Sequence, residues 1–114
     1  MTRYELEQIR PLRSEIRMHT NSLKKLEHEY DDAHWPEKVQ ELRELIEKMR
    51  RRCVAQLEAL EGYIAAIDDN FTQQVFTLRY VEGLTWKAVA ASVGGQNNSY
   101  NMRMLAYRYI AKTA

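Results

Sequence analysis

Several residue types are scarce in this chain of 114 residues. It has one cysteine, four glycines and two prolines, so an intrachain disulfide is excluded and a helical protein is favoured over an all-β or disordered one. No stretch resembles a signal peptide or the roughly 20 apolar residues that span a bilayer. We therefore expect an all-α, cytoplasmic protein without a membrane segment.

Motifs for catalysis, nucleotide binding and metal binding are also lacking. No phosphate-binding loop or dinucleotide fingerprint accompanies the glycine pair Gly94-Gly95. His28 and His34 are six residues apart, which places them on different faces of a helix, whereas zinc-binding histidines on one helix are four apart. No serine or cysteine has a recognisable base and orienting acid near it. The sequence thus predicts a non-enzyme with no cofactor and no metal.

Apolar residues in the first 68 positions follow the spacing of a coiled-coil seam. One helix is predicted from near the start to about Ala33, and a second from about Pro36 to Ile67. Pro36 disfavours helix at Trp35, so the chain is expected to reverse there and form a long antiparallel two-helix hairpin. The seam positions are Ile9, Leu12, Ile16, His19, Leu23, Leu26 and Tyr30, and then Val39, Leu42, Ile46, Met49, Cys53, Gln56, Leu60, Tyr63 and Ile67.

The second predicted helix has a wider apolar stripe than one partner helix covers. Leu45, Leu57 and Ile64 lie beside its seam. Two candidates could cover them, namely the C-terminal segment near Leu57 and Ile64, or a second copy of the hairpin in a four-helix bundle. We expect a homodimer through the hairpin, and we interpret the basic run at 48–52 as a solvated helix face.

The remaining residues, 69–114, have the spacing of three short helices. Asn70 is placed to cap a helix over 71–82 whose inner face includes Phe71, Val75 and Leu78, and Gly83 is placed to end this helix in a left-handed conformation. Thr85 is placed to cap the next helix, and a glycine turn separates that helix from the last. Two short helices joined in this way form a helix-turn-helix, whose second helix enters the major groove of DNA. The sequence thus predicts a hairpin at 1–68 and a DNA-binding domain at 69–114.

The last helix, capped by Asn97 or Asn98, combines an apolar face with an outward face rich in tyrosine, amide and arginine side chains. Such donors suit the base edges of the major groove. Residues 70–114 contain five basic residues and one acidic residue, a net charge of +4, whereas the preceding residues carry −3. The predicted inner residues are Met102, Leu105, Ala106 and Tyr109, and the outer ones Ser99, Tyr100, Asn101, Arg103, Met104, Tyr107 and Arg108.

A family resemblance accompanies this pattern. The run L-R-Y-V-E-G-L-T-W-K-A-V-A at 78–90 resembles the L-R-Y-x-x-G-L-[ST]-[YW]-x-x-[IV]-A signature of region four of bacterial sigma factors. The stretch 93–109 is similar to small sigma-like regulators of phages and prophages in Gram-positive hosts. This sequence departs from the family at Ala88, where an acidic residue is usual, and in a longer glycine turn.

The resemblance implies a phage-type transcriptional regulator that binds double-stranded DNA and acts with the host RNA polymerase. Phosphate contact is expected from the basic side chains, and base contact from the start of the last helix. Two alternatives stay open: a small terminase-like DNA-packaging accessory, and a sigma mimic that binds proteins without DNA. The residues predicted to contact DNA are Thr85, Lys87, Gln96, Asn98, Ser99, Tyr100, Asn101, Arg103, Tyr107, Arg108 and Lys112.

Overall fold

A computed structural model describes residues 1–30 and 35–114, and every regular element within these ranges is helical. The all-α prediction is therefore confirmed. None of the described helices is long and apolar enough to span a membrane. The elements are α1 (Arg3–Leu6), α2 (Ile9–Glu29), α3 (Glu37–Ala65), α4 (Asn70–Phe76), a π-helical turn (Thr77–Val81), α5 (Trp86–Val93) and α6 (Ser99–Lys112).

The first predicted helix is interrupted near its start. Thr2 and Glu5 cap α1 reciprocally, and the Gln8 N–H then donates to the Glu5 carbonyl at 3.0 Å, a tight turn that separates α1 from α2. The prediction of one helix from near the start to about Ala33 was therefore wrong at its beginning, because the tight turn at Gln8 separates α1 from α2. Ala33 and His34, with the expected chain reversal around them, lie outside the described residues.

The chain divides into two compact units. The first unit comprises residues 1–10 and 59–114, and the second unit comprises residues 11–58. In the first unit Leu6 and Ile9 have no exposed surface, and Ile64 is 4% exposed. The predicted boundary between residues 68 and 69 falls inside the first unit, since the N-terminal residues and the end of α3 pack with the C-terminal helices.

The core of the first unit lies between α4, α5 and α6. Val75, Val89, Ala90 and Met102 are buried together there. Phe76, which has no exposed surface, stands next to three tyrosine rings, with its centroid 5.4 Å from that of Tyr109. The large area of these aromatic rings makes them a main part of the buried apolar surface.

The start of α4 differs from the prediction by one residue. Asp69, not Asn70, is the N-cap, and its Oδ2 accepts hydrogen bonds from the Thr72 N–H at 2.9 Å and the Thr72 hydroxyl at 2.6 Å. These hydrogen bonds lower the pKa of Asp69. Phe71 was expected on the inner face but is exposed, and Phe76 occupies the interior instead.

The predicted helix over 71–82 corresponds to α4 and the π-helical turn together, which end at Val81. The Glu82 N–H donates to the Thr77 carbonyl at 2.9 Å, and the Leu84 N–H reaches the Leu78 carbonyl at 3.0 Å. Gly83 has φ 77°, which confirms its predicted left-handed place at the end of this element.

In the second unit, two side-chain hydrogen bonds join α2 and α3. Arg50 Nε donates to the Thr20 hydroxyl at 2.9 Å, and the Cys53 thiol donates to the Glu15 carboxylate at 3.1 Å. Ile46 and Cys53 are buried as the seam pattern predicted.

Leu42, however, was expected in the seam and is 46% exposed. Leu45 and Met18, in the same unit, are also exposed, at 52% and 56%. A spacing alone does not distinguish a seam residue from a neighbouring one, because the rotation of a helix about its axis depends on all its contacts.

We predict opposite effects from two glycine substitutions. Gly83→Ala should lower the free energy of unfolding by about 1–3 kcal/mol, because alanine at a positive φ is strained, and the new Cβ would also lie 2.5 Å from the Arg10 Cδ. Gly62→Ala, in α3 with no atom within 4 Å of the added Cβ, should raise it by about 0.5–1 kcal/mol. Urea unfolding followed by circular dichroism measures both, and equal effects would contradict the prediction.

Candidate nucleic-acid interface

The turn between α5 and α6 is built from glycine and asparagine. Gly94 and Gly95 both have positive φ, 72° and 68°, conformations that glycine adopts without a steric cost. The Asn97 side chain donates to the Gly94 carbonyl at 2.8 Å, and the Asn98 side chain accepts from the Asn101 N–H at 2.8 Å. Of the two caps considered for the last helix, Asn98 is therefore the one used, and the long turn has its own hydrogen bonds.

Helix α6 has one face in the core and one face in solvent. Met102, Ala106 and Ile110 are buried, and Ile110 was not among the residues predicted for this face. Leu105 and Tyr109, which were predicted, are half-buried. These contacts set the rotation of α6 about its axis.

The opposite face of α6 presents most of the side chains predicted to contact DNA. Tyr100 is 57% exposed, and the Arg103 guanidinium lies 5.8 Å from the centre of its ring. Lys87 on α5 and Gln96 in the turn are exposed as well. The α6 residues exposed together with Tyr100 and Arg103 are Ser99, Asn101, Arg108 and Lys112.

Three further residues of the predicted set cap a helix or pack against another element of the first unit. Thr85 and Asn98 use their side-chain oxygens as helix caps, accepting from Ala88 and Asn101. Tyr107 is half-buried, with its ring centre 6.1 Å from that of Trp86 and 4.3 Å from the Arg3 guanidinium. In this structure these three side chains support the surface on which the other predicted residues lie.

Arg79 joins three parts of the first unit. Its Nη1 donates to the Leu84 carbonyl at 3.0 Å, and its Nη2 donates to the Glu7 carboxylate at 3.0 Å. The guanidinium also lies 5.0 Å from the centre of the Trp86 ring. Arg79 thus connects the N-terminal segment to the start of α5.

Tyr80, the next residue, packs inside the same region. It is 2% exposed, and its ring centre lies 5.5 Å from that of Phe76 and 6.2 Å from that of Trp86. Burial, and then the Glu7 charge, raise the pKa of its hydroxyl well above the usual range. Arg79 and Tyr80 therefore both have packing roles in this structure.

The contact of the N-terminal segment with Arg79 was not predictable from the sequence. Glu7 and Arg79 are 72 residues apart, and no helical or strand period relates side chains at that distance. The one available signal was the pair Leu6 and Ile9, whose spacing continues the apolar pattern of α2.

Cys53, the one cysteine of the sequence, is buried in the second unit. Burial, and then the Glu15 carboxylate that accepts its hydrogen bond, raise the pKa of the Cys53 thiol, which makes it a weaker nucleophile than an exposed cysteine. In residues 1–30 and 35–114, no three His, Cys, Asp or Glu side chains are grouped so as to hold a metal ion.

No family model, curated protein or solved structure matches this chain. The features that bear on function are therefore the exposed surface of α6, its charge, and the resemblance of residues 78–90.

We predict that Arg79 stabilises the first unit through its planar, forked donor group. Arg79→Ala should cost about 1–3 kcal/mol of unfolding free energy, because the side chain is only 24% exposed and makes two hydrogen bonds. Arg79→Lys should recover little of this, since a lysine cannot bridge both acceptors. Glu7→Gln, which alters the more exposed partner, should cost less than about 1 kcal/mol. Chemical denaturation tests all three variants, and full recovery by lysine would contradict the role of the fork.

Proposed function

We propose that this chain is a sequence-specific DNA-binding transcriptional regulator of phage or prophage type, with a sigma region four-like helix-turn-helix at 69–114. The observation that carries the proposal is the two-faced α6. Its inner face is buried in the core while Tyr100, Asn101 and Arg103 are exposed beside a capped N-terminus. Amide and guanidinium groups can form paired hydrogen bonds with adenine and guanine edges in the major groove.

The charge of this region supports the same partner. Basic residues outnumber acidic ones by five to one over residues 70–114. We propose that Lys87, Arg103, Arg108 and Lys112, all exposed, neutralise backbone phosphates, and that Ser99 and its neighbours approach the bases. The resemblance at 78–90 supports the further proposal that the protein acts with the host RNA polymerase.

We propose in addition that α2 and α3 form an antiparallel hairpin within the second unit, residues 11–58. The two hydrogen bonds between α2 and α3 support this, because they pair Glu15 with Cys53 and the later residue Thr20 with the earlier residue Arg50. When the paired residues advance along one helix and go back along the other, the two helices run antiparallel.

A homodimer through this hairpin is the oligomeric state that we propose. Met18, Leu42 and Leu45 are about half exposed in the second unit, and a second copy would remove their apolar surface from water. A dimer would also present two recognition helices to two half-sites, about one helical turn of DNA or a multiple apart.

We predict that Arg103→Ala weakens binding to a cognate duplex by about 1–3 kcal/mol if Arg103 reads a base, with relaxed specificity at one position. Selection from a pool of random duplexes supplies the site, and gel shift at low and moderate salt measures the binding. Arg51→Ala, which removes an exposed arginine from the basic run of α3, is the matched control and should bind like the unaltered chain. Absence of any shift at low salt would overturn DNA binding and favour the sigma-mimic alternative.

We predict that the chain is a dimer at micromolar concentration and that Leu42→Lys combined with Leu45→Lys makes it monomeric, because two charges would lie in the apolar contact. Ala55→Lys places a lysine at an exposed position on another side of α3 and should leave the dimer intact. Light scattering measures the mass. A monomer from the unaltered chain would contradict the dimer, and a ring larger than a dimer would favour the DNA-packaging alternative.

A further inference from the structure

The N-terminal segment 1–10 is anchored to the unit that contains α6. Leu6 and Ile9 are completely buried, with no exposed surface. Thr2 and Glu5 hold the first turn through two hydrogen bonds of 3.1 Å. The segment is therefore a structured part of the first unit, and its exposed side chains have defined neighbours.

The two acidic residues of this segment already have partners. The Glu5 carboxylate accepts the Thr2 N–H, and the Glu7 carboxylate is 3.0 Å from the Arg79 guanidinium. Arg3, by contrast, is exposed and has its guanidinium 4.3 Å from the centre of the Tyr107 ring. Stacking on an aromatic face leaves the edge of a guanidinium available to an acceptor.

Tyr107 brings Arg3 to the face of α6 that carries the recognition residues. Tyr100 and Tyr107 are separated by seven residues, about two turns of helix, and so lie on the same side of α6. Arg103 lies between them on that side, over the Tyr100 ring. The row of Tyr100, Arg103 and Tyr107 thus ends next to a cation supplied from the opposite end of the chain.

We infer that Arg3 extends the DNA-binding surface of α6 and contacts a backbone phosphate of the duplex. This inference rests on the proposed DNA binding and adds to it a residue that lies outside the helix-turn-helix. A guanidinium held against a tyrosine ring loses little freedom on binding, and its planar fork matches the oxygens of a phosphate. The contact is with the backbone, so it does not depend on the base sequence.

The test measures the salt dependence of binding by fluorescence anisotropy, with a selected duplex and an unrelated duplex as probes. Arg3→Ala should reduce the slope of log affinity against log salt by about 0.9 on both duplexes, which is the value for one phosphate contact. Between 50 and 200 mM salt, the factor by which the affinity falls should then be about 3.5 times smaller for Arg3→Ala than for the unaltered chain. Arg3→Lys retains the charge and should retain most of the slope, and Arg51→Ala should leave it unchanged.

The outcomes separate this inference from the proposed function. If the unaltered chain binds DNA and Arg3→Ala has the same salt slope, the inference is wrong and the proposed function stands. If Arg3→Ala weakens only the selected duplex, Arg3 reads a base and the phosphate contact is wrong. If the unaltered chain binds neither duplex, the proposed function itself fails. If Arg3→Ala unfolds below the assay temperature, Arg3→Gln replaces it as a neutral variant with a longer side chain. The same change in salt slope is then expected for Arg3→Gln.

Discussion

The first unit depends on the interaction of Arg79 with groups from three parts of the chain. Its guanidinium binds the Glu7 carboxylate and the Leu84 carbonyl and lies against Trp86. A lysine has one charged centre and could not satisfy these partners together. The start of α5, and through its packing the position of α6, therefore depends on a residue that has no direct part in the proposed DNA contact.

The contacts that stabilise the first unit also define the position of α6, on which the proposed DNA binding depends. Recognition helices read base edges only when their rotation and position are defined, because hydrogen bonds are sensitive to direction and distance. In this chain Met102, Ala106 and Ile110 define the rotation of α6 from within the core, while Tyr107 and Trp86 pack ring against ring at its side. The exposed Arg103 and Asn101 are thereby held on the outer face.

The features of the candidate site that involve neighbouring residues could be predicted from the sequence. The features that depend on contacts between distant residues could not be predicted. The caps at Thr85 and Asn98 and the turn at Gly83 were predictable, since capping and positive φ involve only a few neighbouring residues. The cap at Asp69 was assigned one residue late because Asp69 and Asn70 are both good caps. Phe71 was predicted to lie inside and Phe76 was not assigned to either face. Only the tertiary contacts of Phe76 with Tyr63, Tyr80 and Tyr109 show that Phe76 is the buried residue of the two.

The sequence by itself determined the helical class, the approximate bounds of the helices from α3 onward and the polar outer face of α6, because periodicity, caps and glycine turns are local properties. Tertiary structure alone decided that residues 1–10 belong to the first unit and that Leu42 is exposed. It also decided that Arg79 and Arg3 stand against Trp86 and Tyr107. The physical reason is that a guanidinium can pair with any acceptor or ring within reach, and only the packing of distant segments determines which of them it meets.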